Sequence, residues 1–366
     1  MTSTTDPILA NDPIELAVSL HEQALAAYSA GDVAQAESHF RQALDLLERA
    51  EGSDAPDVAN VIISLAAIHE HRCEYRAAEE LYRRSVEIMN QTPDSGDPNV
   101  ERLRGQAWCC LGMAERILGN YDRAETRFQQ ALAHAEQHFG AESMEAADVL
   151  NQLGMLGKYA GRFAAAEGYY GRALSILEER LGPDHPRLAS LYHNLGGLEH
   201  ARGEFAAGEP FARKSVELRV LALGGDHPAV AEDVAALAAL LDGQGKYSEA
   251  KALYHRALTI FRRTHGEEHY EVAVNLNNLA AIYQAEGKFA AAEHSYQRAL
   301  RIKEKIFAPD NVEVAMTMNN LAMLYKAMAR TGAAADLLRR ALAIFETKLA
   351  DDHPHLLACR ENCADI

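Results

Sequence analysis

Three triplets in this chain, Asp184-His185-Pro186, Asp226-His227-Pro228 and Asp352-His353-Pro354, set a carboxylate beside an imidazole. That pairing can hold a metal or relay a proton. All three fall in one phase of a 42-residue period, which Pro56 and Pro98 share. Proline is favoured at the first position of a helix, and a polar residue before it caps free amide groups. The fixed phase therefore assigns the triplets to capping rather than to catalysis. Cys359 and Cys363 lie one helical turn apart near His353 and His355. Two thiols fall short of the four closely spaced ligands of a zinc site, so they read as half-buried structural residues. No nucleophile elbow, phosphate loop, HExxH sequence or glycine-rich nucleotide turn is present. The expectation is a protein that is not an enzyme and uses no cofactor or metal.

The elements that position these residues recur. Gly31, Cys73, Gly119, Gly161, Gly203, Gly245 and Gly287 are each followed two places later by Val33, Tyr75, Tyr121, Phe163, Phe205, Tyr247 or Phe289. A small residue comes three further on: Ala36, Ala78, Ala124, Ala166, Gly208, Ala250 and Ala292. A long period held along nearly the whole chain means stacked copies of one unit. In residues 271–312, Val272, Leu276, Leu279 and Ile282 form one helical stripe, and Ala292, Tyr296, Ala299 and Ile302 form another. Gly287 between them ends the first helix. The unit is a helical hairpin that needs neighbours to bury its faces.

The fold class expected is therefore all-α: a right-handed superhelical solenoid of about eight hairpins, turning near residues 31, 73, 119, 161, 203, 245, 287 and 329. The eighth is degenerate, with Ala329 and Thr331 in place of the glycine and the aromatic. Residues 1–15 are expected to be a flexible tail, 16–352 the solenoid and 353–366 a capping helix. Gly119 lies 46 residues after Cys73, and the four extra residues are expected in the polar loop Gln91 to Asn99. Pro210, near Gly208, should kink or loosen the fifth hairpin. Trp108 should stack between helices.

A formal charge of −17 disfavours nucleic acid and anionic membranes. The first 13 residues carry no Lys or Arg, which does not match a signal peptide, and no apolar run approaches the roughly 20 residues that span a bilayer. Five cysteines do not form a disulfide framework. The reading is a soluble, cytoplasmic protein.

Asn277-Asn278-Leu279-Ala280, Gly287-Lys288-Phe289, Ala292-Glu293 and Arg298-Ala299-Leu300 resemble the tetratricopeptide repeat, in the 42-residue form of the kinesin light chains. Asn319-Asn320-Leu321-Ala322 and His193-Asn194-Leu195-Gly196 are similar to the same pattern. The resemblance covers about Leu16 to Pro354. It implies that the first helix of each hairpin lines a concave face and that the residues nine and ten before each glycine point inward. Those residues include His21, Ser64, Cys109, Cys110, Asn151, Gln152, His193, Asn194, Asn277, Asn278, Asn319 and Asn320, so Cys110 is expected to line the groove. Arg116, Lys158, Gln284 and Lys326 follow one turn on. A carboxamide has a donor and an acceptor side by side and can pair with a peptide bond of any sequence. The function this implies is a non-catalytic adaptor that holds an extended peptide or partner segment by an asparagine ladder. The alternatives are a scaffold that self-associates or braces an assembly, and a peptide-sensing regulator. The partner expected is protein or peptide, with homo-oligomers open. The inward positions lack the Lys/Arg-with-Asn spacing of a carboxylate clamp.

Overall fold

A computed structural model describes residues 12–349, 351 and 353–365. The tail expected at 1–15 falls largely outside them, as does Asp352 of the third Asp-His-Pro triplet. Among the described residues the secondary structure is helical, with no strand. The chain divides into two compact units, Met1–Gly182 and Pro183–Ile366.

In the first unit the helices pair as α1 (Pro13–Ser29) with α2 (Val33–Ala50), α3 (Pro56–His71) with α4 (Tyr75–Gln91), α5 (Pro98–Ile117) with α6 (Tyr121–Phe139), and α7 (Met144–Tyr159) with α8 (Phe163–Leu181). The second unit opens with a 3₁₀ turn, Pro186–Leu188. It continues through α9 (Ala189–Arg202) with α10 (Phe205–Leu223), α11 (Pro228–Gly243) with α12 (Tyr247–His265), α13 (Tyr270–Ala285) with α14 (Phe289–Ile306), and α15 (Val312–Ala327) with α16 (Thr331–Lys348). α17 (Pro354–Ala364) lies against α16, its Leu356 and Cys359 buried. Among the described residues, no helix is long and apolar enough to cross a membrane.

Each hairpin turns through a left-handed residue. Gly119 and Gly287 have φ of 81° and 74°, and the exceptions in the pattern, Cys73 and Ala329, are held at 60° and 59°. The fold thus imposes a glycine conformation on two side chains that resist it. Beyond the turn, small residues let the paired helices close. Ala78, Ala124, Ala166, Ala250, Ala292 and Ala334 are fully buried, next to the buried rings of Tyr82, Phe128, Tyr170, Tyr254 and Tyr296. In α7 the fit leaves no room for a methyl group: a Cβ at Gly154 would stand 2.4 Å from the Tyr170 ring.

Two expectations are corrected here. The four extra residues do not lengthen the loop; they lengthen α5, which has 20 residues where α3 and α7 have 16. Pro98 keeps the phase of Pro56, so the extra turn follows it and contains Glu101. Pro210 does not loosen the fifth hairpin either, because α10 runs unbroken through it. Pro210 and Ala206 both lie on the exposed side, where water can serve the carbonyl that loses its amide partner. Gly208 is packed closely, since a Cβ there would meet Leu240 Cδ2 at 2.7 Å and Glu199 Cβ at 3.0 Å.

These contacts predict opposite effects from two small substitutions. Ala329→Gly should stabilise the second unit by about 1 kcal/mol by relieving the left-handed strain. Gly154→Ala should destabilise the first by about 1–3 kcal/mol through overpacking against Tyr170. Urea unfolding of each variant measures both.

Candidate functional site

In the second unit the inward row sits on α9, α11, α13 and α15 and is knit from helix to helix. The Asn320 side-chain N–H donates to Asn277 Oδ1 at 3.3 Å, and Asn362 of α17 donates to Asn319 Oδ1 at 3.0 Å. Asn277, Asn278, Asn319 and Asn320 are all half-buried, so each keeps a face toward solvent. Asn362 was not in the expected row; its place 43 residues after Asn319 is the signal that marks it. Gln284 is also half-buried on this side, and Lys326 Nζ lies 3.4 Å from Asp365 Oδ2.

His193 and Asn194 behave differently. Asn194 is buried. His193 Nδ1 is 2.7 Å from Oδ1 of Asp233, a carboxylate only 1% exposed, whose Oδ2 accepts from Arg219 Nε at 2.8 Å. Burial alone would push the Asp233 carboxyl up; the hydrogen bonds from His193 and Arg219 outweigh it and hold it below the usual range. His193 is thus part of an ionic brace between α9 and α11.

In the first unit the row begins with His21, whose Nε2 lies 3.1 Å from Ser64 Oγ. Cys110 does not line a groove: it is buried in the core with Leu111 and Ala114. The side chain at 110 falls on the packed stripe of α5, and burial raises its thiol well above the usual range. The neighbouring Cys109 thiol is pushed up to about 12 by burial and by Asp148. Asn151 and Gln152 are half-buried on α7, and Gln152 Oε1 is buried without a hydrogen-bond partner. Arg116 and Lys158 are brought together above Tyr159, each cation 5.0 Å from the ring centroid. Burial, then the Arg116 guanidinium, lowers the Lys158 ammonium below its ordinary value. Tyr159 is 54% exposed; Arg116 Nε is buried with no hydrogen-bond partner, as is the hydroxyl of the core residue Tyr170 on α8.

The model of the tetratricopeptide repeat matches residues 15–91, 103–179, 158–219, 187–263, 233–305 and 271–347. The chain belongs to the tetratricopeptide repeat family. No curated protein matches its sequence. Among solved structures it is similar to a signal transduction ATPase with a tetratricopeptide repeat sensor from Pyrococcus horikoshii, at 14% identity and a TM-score of 0.65. That match covers 98% of this chain and 50% of the other. It is also similar to a Rap protein complexed with Competence and Sporulation Factor, at 16% identity and a TM-score of 0.57, covering 96% and 97%. A Podosopora anserina protein described as a kinesin light chain shares 21% identity, with a TM-score of 0.47, over 57% of this chain and all of the other.

The corners between tetratricopeptide hairpins are where the Asp-His-Pro residues act, and the histidine is the cap. The N–H groups of Arg187, Ala229 and His355 donate to Nδ1 of His185, His227 and His353, each at 3.2 Å. His269, which precedes tyrosine rather than proline, caps Glu271 in the same way at 3.3 Å. Asn311 does so with Oδ1 at 2.8 Å from the Glu313 nitrogen. Cys359 is buried and Cys363 partly buried against the last hairpin, and burial followed by Cys363 pushes the Cys359 thiol up to about 12.

A protonated imidazole cannot accept at Nδ1. Burial, and secondarily the stacked His265, hold His269 below the usual imidazole range. Burial also leads the lowering of His21, His255 and His355. With folded pKa values below the unfolded value, protons bind the unfolded chain first. Stability is then full above about pH 6.5 and declines as pH falls toward the folded values. Urea midpoints should drop between about pH 7 and 5.5. His269→Asn, which keeps a cap of the Asn311 kind, should shallow that slope.

Proposed function

We propose that this chain is a non-catalytic interaction protein that holds an extended segment of a partner protein against the inward faces of its first helices. The observation that carries the reading is the pairing of Asn320 with Asn277 and of Asn362 with Asn319. Each bond uses one side of a carboxamide and fixes its rotamer before a ligand arrives, so little side-chain entropy is lost on binding. The half-exposed remainder offers donors and acceptors to a peptide backbone. First helices of neighbouring hairpins stand about 10 Å apart, roughly three residues of extended chain at ~3.3 Å each. In the first unit, taken by itself, Arg116 and Lys158 above Tyr159 suit an acidic side chain of such a segment, and Asn151 and Gln152 add carboxamides there. Gln284 and Lys326 complete the inward row of the second unit.

The charge of −17 argues against nucleic acid and anionic membranes as partners, and a soluble cytoplasmic setting fits the reduced thiols expected of five cysteines without a framework. A second reading, a peptide-sensing regulator, draws support from the shared fold of the Rap protein in its complex and of the repeat sensor in the ATPase. A self-associating scaffold is the third, drawing on Leu221, which is 71% exposed. Light scattering that gives a monomer across a wide concentration range would remove it.

Affinity capture from the native cell, followed by mapping of the bound segment to a synthetic peptide, supplies the probe. Asn278→Ala with Asn320→Ala should weaken that peptide by about 1 kcal/mol or more for each lost bond, with helicity unchanged. Unchanged affinity in the folded double variant would sink the ladder.

A further inference from the structure

The extra turn of α5 carries Glu101 over the last turns of α6, beside His134 and His138. One ligand atom from each of the three residues lies within 4.8 Å of the others. His134 and His138 are four residues apart on one face of α6, their ring centroids separated by 4.3 Å, a spacing that suits two imidazoles on one ion. Glu101 is 2% exposed. Its Oε2 accepts from Arg104 Nε at 3.0 Å and stands 3.4 Å from His134 Nε2, whereas its Oε1 is buried with no hydrogen-bond partner. A buried carboxylate oxygen is costly to leave unpaired, so the open lone pairs of a carboxylate that sits in a cluster with two imidazoles require an explanation.

We infer that Glu101, His134 and His138 bind a first-row divalent ion of the zinc type, with the half-satisfied Glu101 carboxylate as the third ligand. Two imidazoles and one carboxylate form a known donor set for such ions, with a further position for water. Zinc bonds of about 2.0–2.2 Å put ligand atoms roughly 3.4 Å apart. The half-exposed His138 can close that gap by side-chain rotation, while His134 keeps its place under Trp108, whose ring meets it edge-on at 5.3 Å. Arg104 is the charge that opposes a cation here. Its guanidinium is already committed to the carbonyl oxygens of Met89, Thr92 and Pro93 as well as to Glu101. It acts as the outer partner that orients the carboxylate and leaves Oε1 free. The His134 Nε2 atom now faces the Glu101 carbonyl oxygen at 3.0 Å, and the ion would take the place of the imidazole proton there.

Trp108 is the sole tryptophan, so it reports on this site alone. Titrating the full chain with Co²⁺, an open-shell ion that quenches indole at short range, should give saturable loss of fluorescence with one equivalent. Zn²⁺ should reverse the loss by displacement. His138→Gln, whose side chain is only half-buried, should keep the native helicity and weaken the quenching by about tenfold or more. Glu101→Gln should weaken it likewise. Absence of saturable quenching in the wild-type chain, or equal quenching in folded His138→Gln, would overturn the assignment.

Discussion

The close approach of the two helices within each hairpin is the constraint on which everything else rests. A buried alanine or glycine faces a buried ring, as Gly154 faces Tyr170, and there is no slack for a methyl group. That fit fixes the rotation of each first helix. It therefore decides which residues join the core and which form the open row. Cys110 and Gln152 hold equivalent places before their turns, yet one is core and the other reaches the row. The extra helical turn before Cys110 changes the start of α5 without changing the register of its packed end.

The period was legible because glycine at a left-handed turn and alanine at a helix crossing are demands of the backbone, and backbone demands recur. Even its failures were legible: Cys73 and Ala329 occupy the glycine conformation that the pattern assigns them. The capping role of the Asp-His-Pro corners was legible too, though which residue caps was not. Histidine rather than aspartate accepts the amide, because Nδ1 reaches the N–H two residues on. What one sequence could not give were contacts set by neighbours. Pro210 sits in a closely packed hairpin because Leu240 fills the space above Gly208. Asn362 completes the carboxamide row from a helix beyond the last full hairpin. The His134–His138 spacing stands in the sequence, but the carboxylate that meets it comes from the preceding helix, α5.

The two units meet the same problem with different side chains. The second fixes its inward polar groups by pairing amides with one another and by the His193–Asp233–Arg219 brace. The first leaves Gln152 Oε1, Arg116 Nε and the Tyr170 hydroxyl without hydrogen-bond partners and crowds two cations over one tyrosine. Preset amides recognise a backbone, which every peptide has. Unpaired cations and polar atoms recognise particular side chains. On the proposed reading, affinity would come from the second unit and selectivity from Arg116 and Lys158 of the first.

The central claim, that the inward row is the binding surface, is tested most directly by hydrogen–deuterium exchange of the full chain with and without its captured partner segment. Protection confined to the first helices, with α13 and α15 foremost in the second unit, is the result predicted. Protection confined to α14 and α16, with α13 and α15 unchanged, would contradict it.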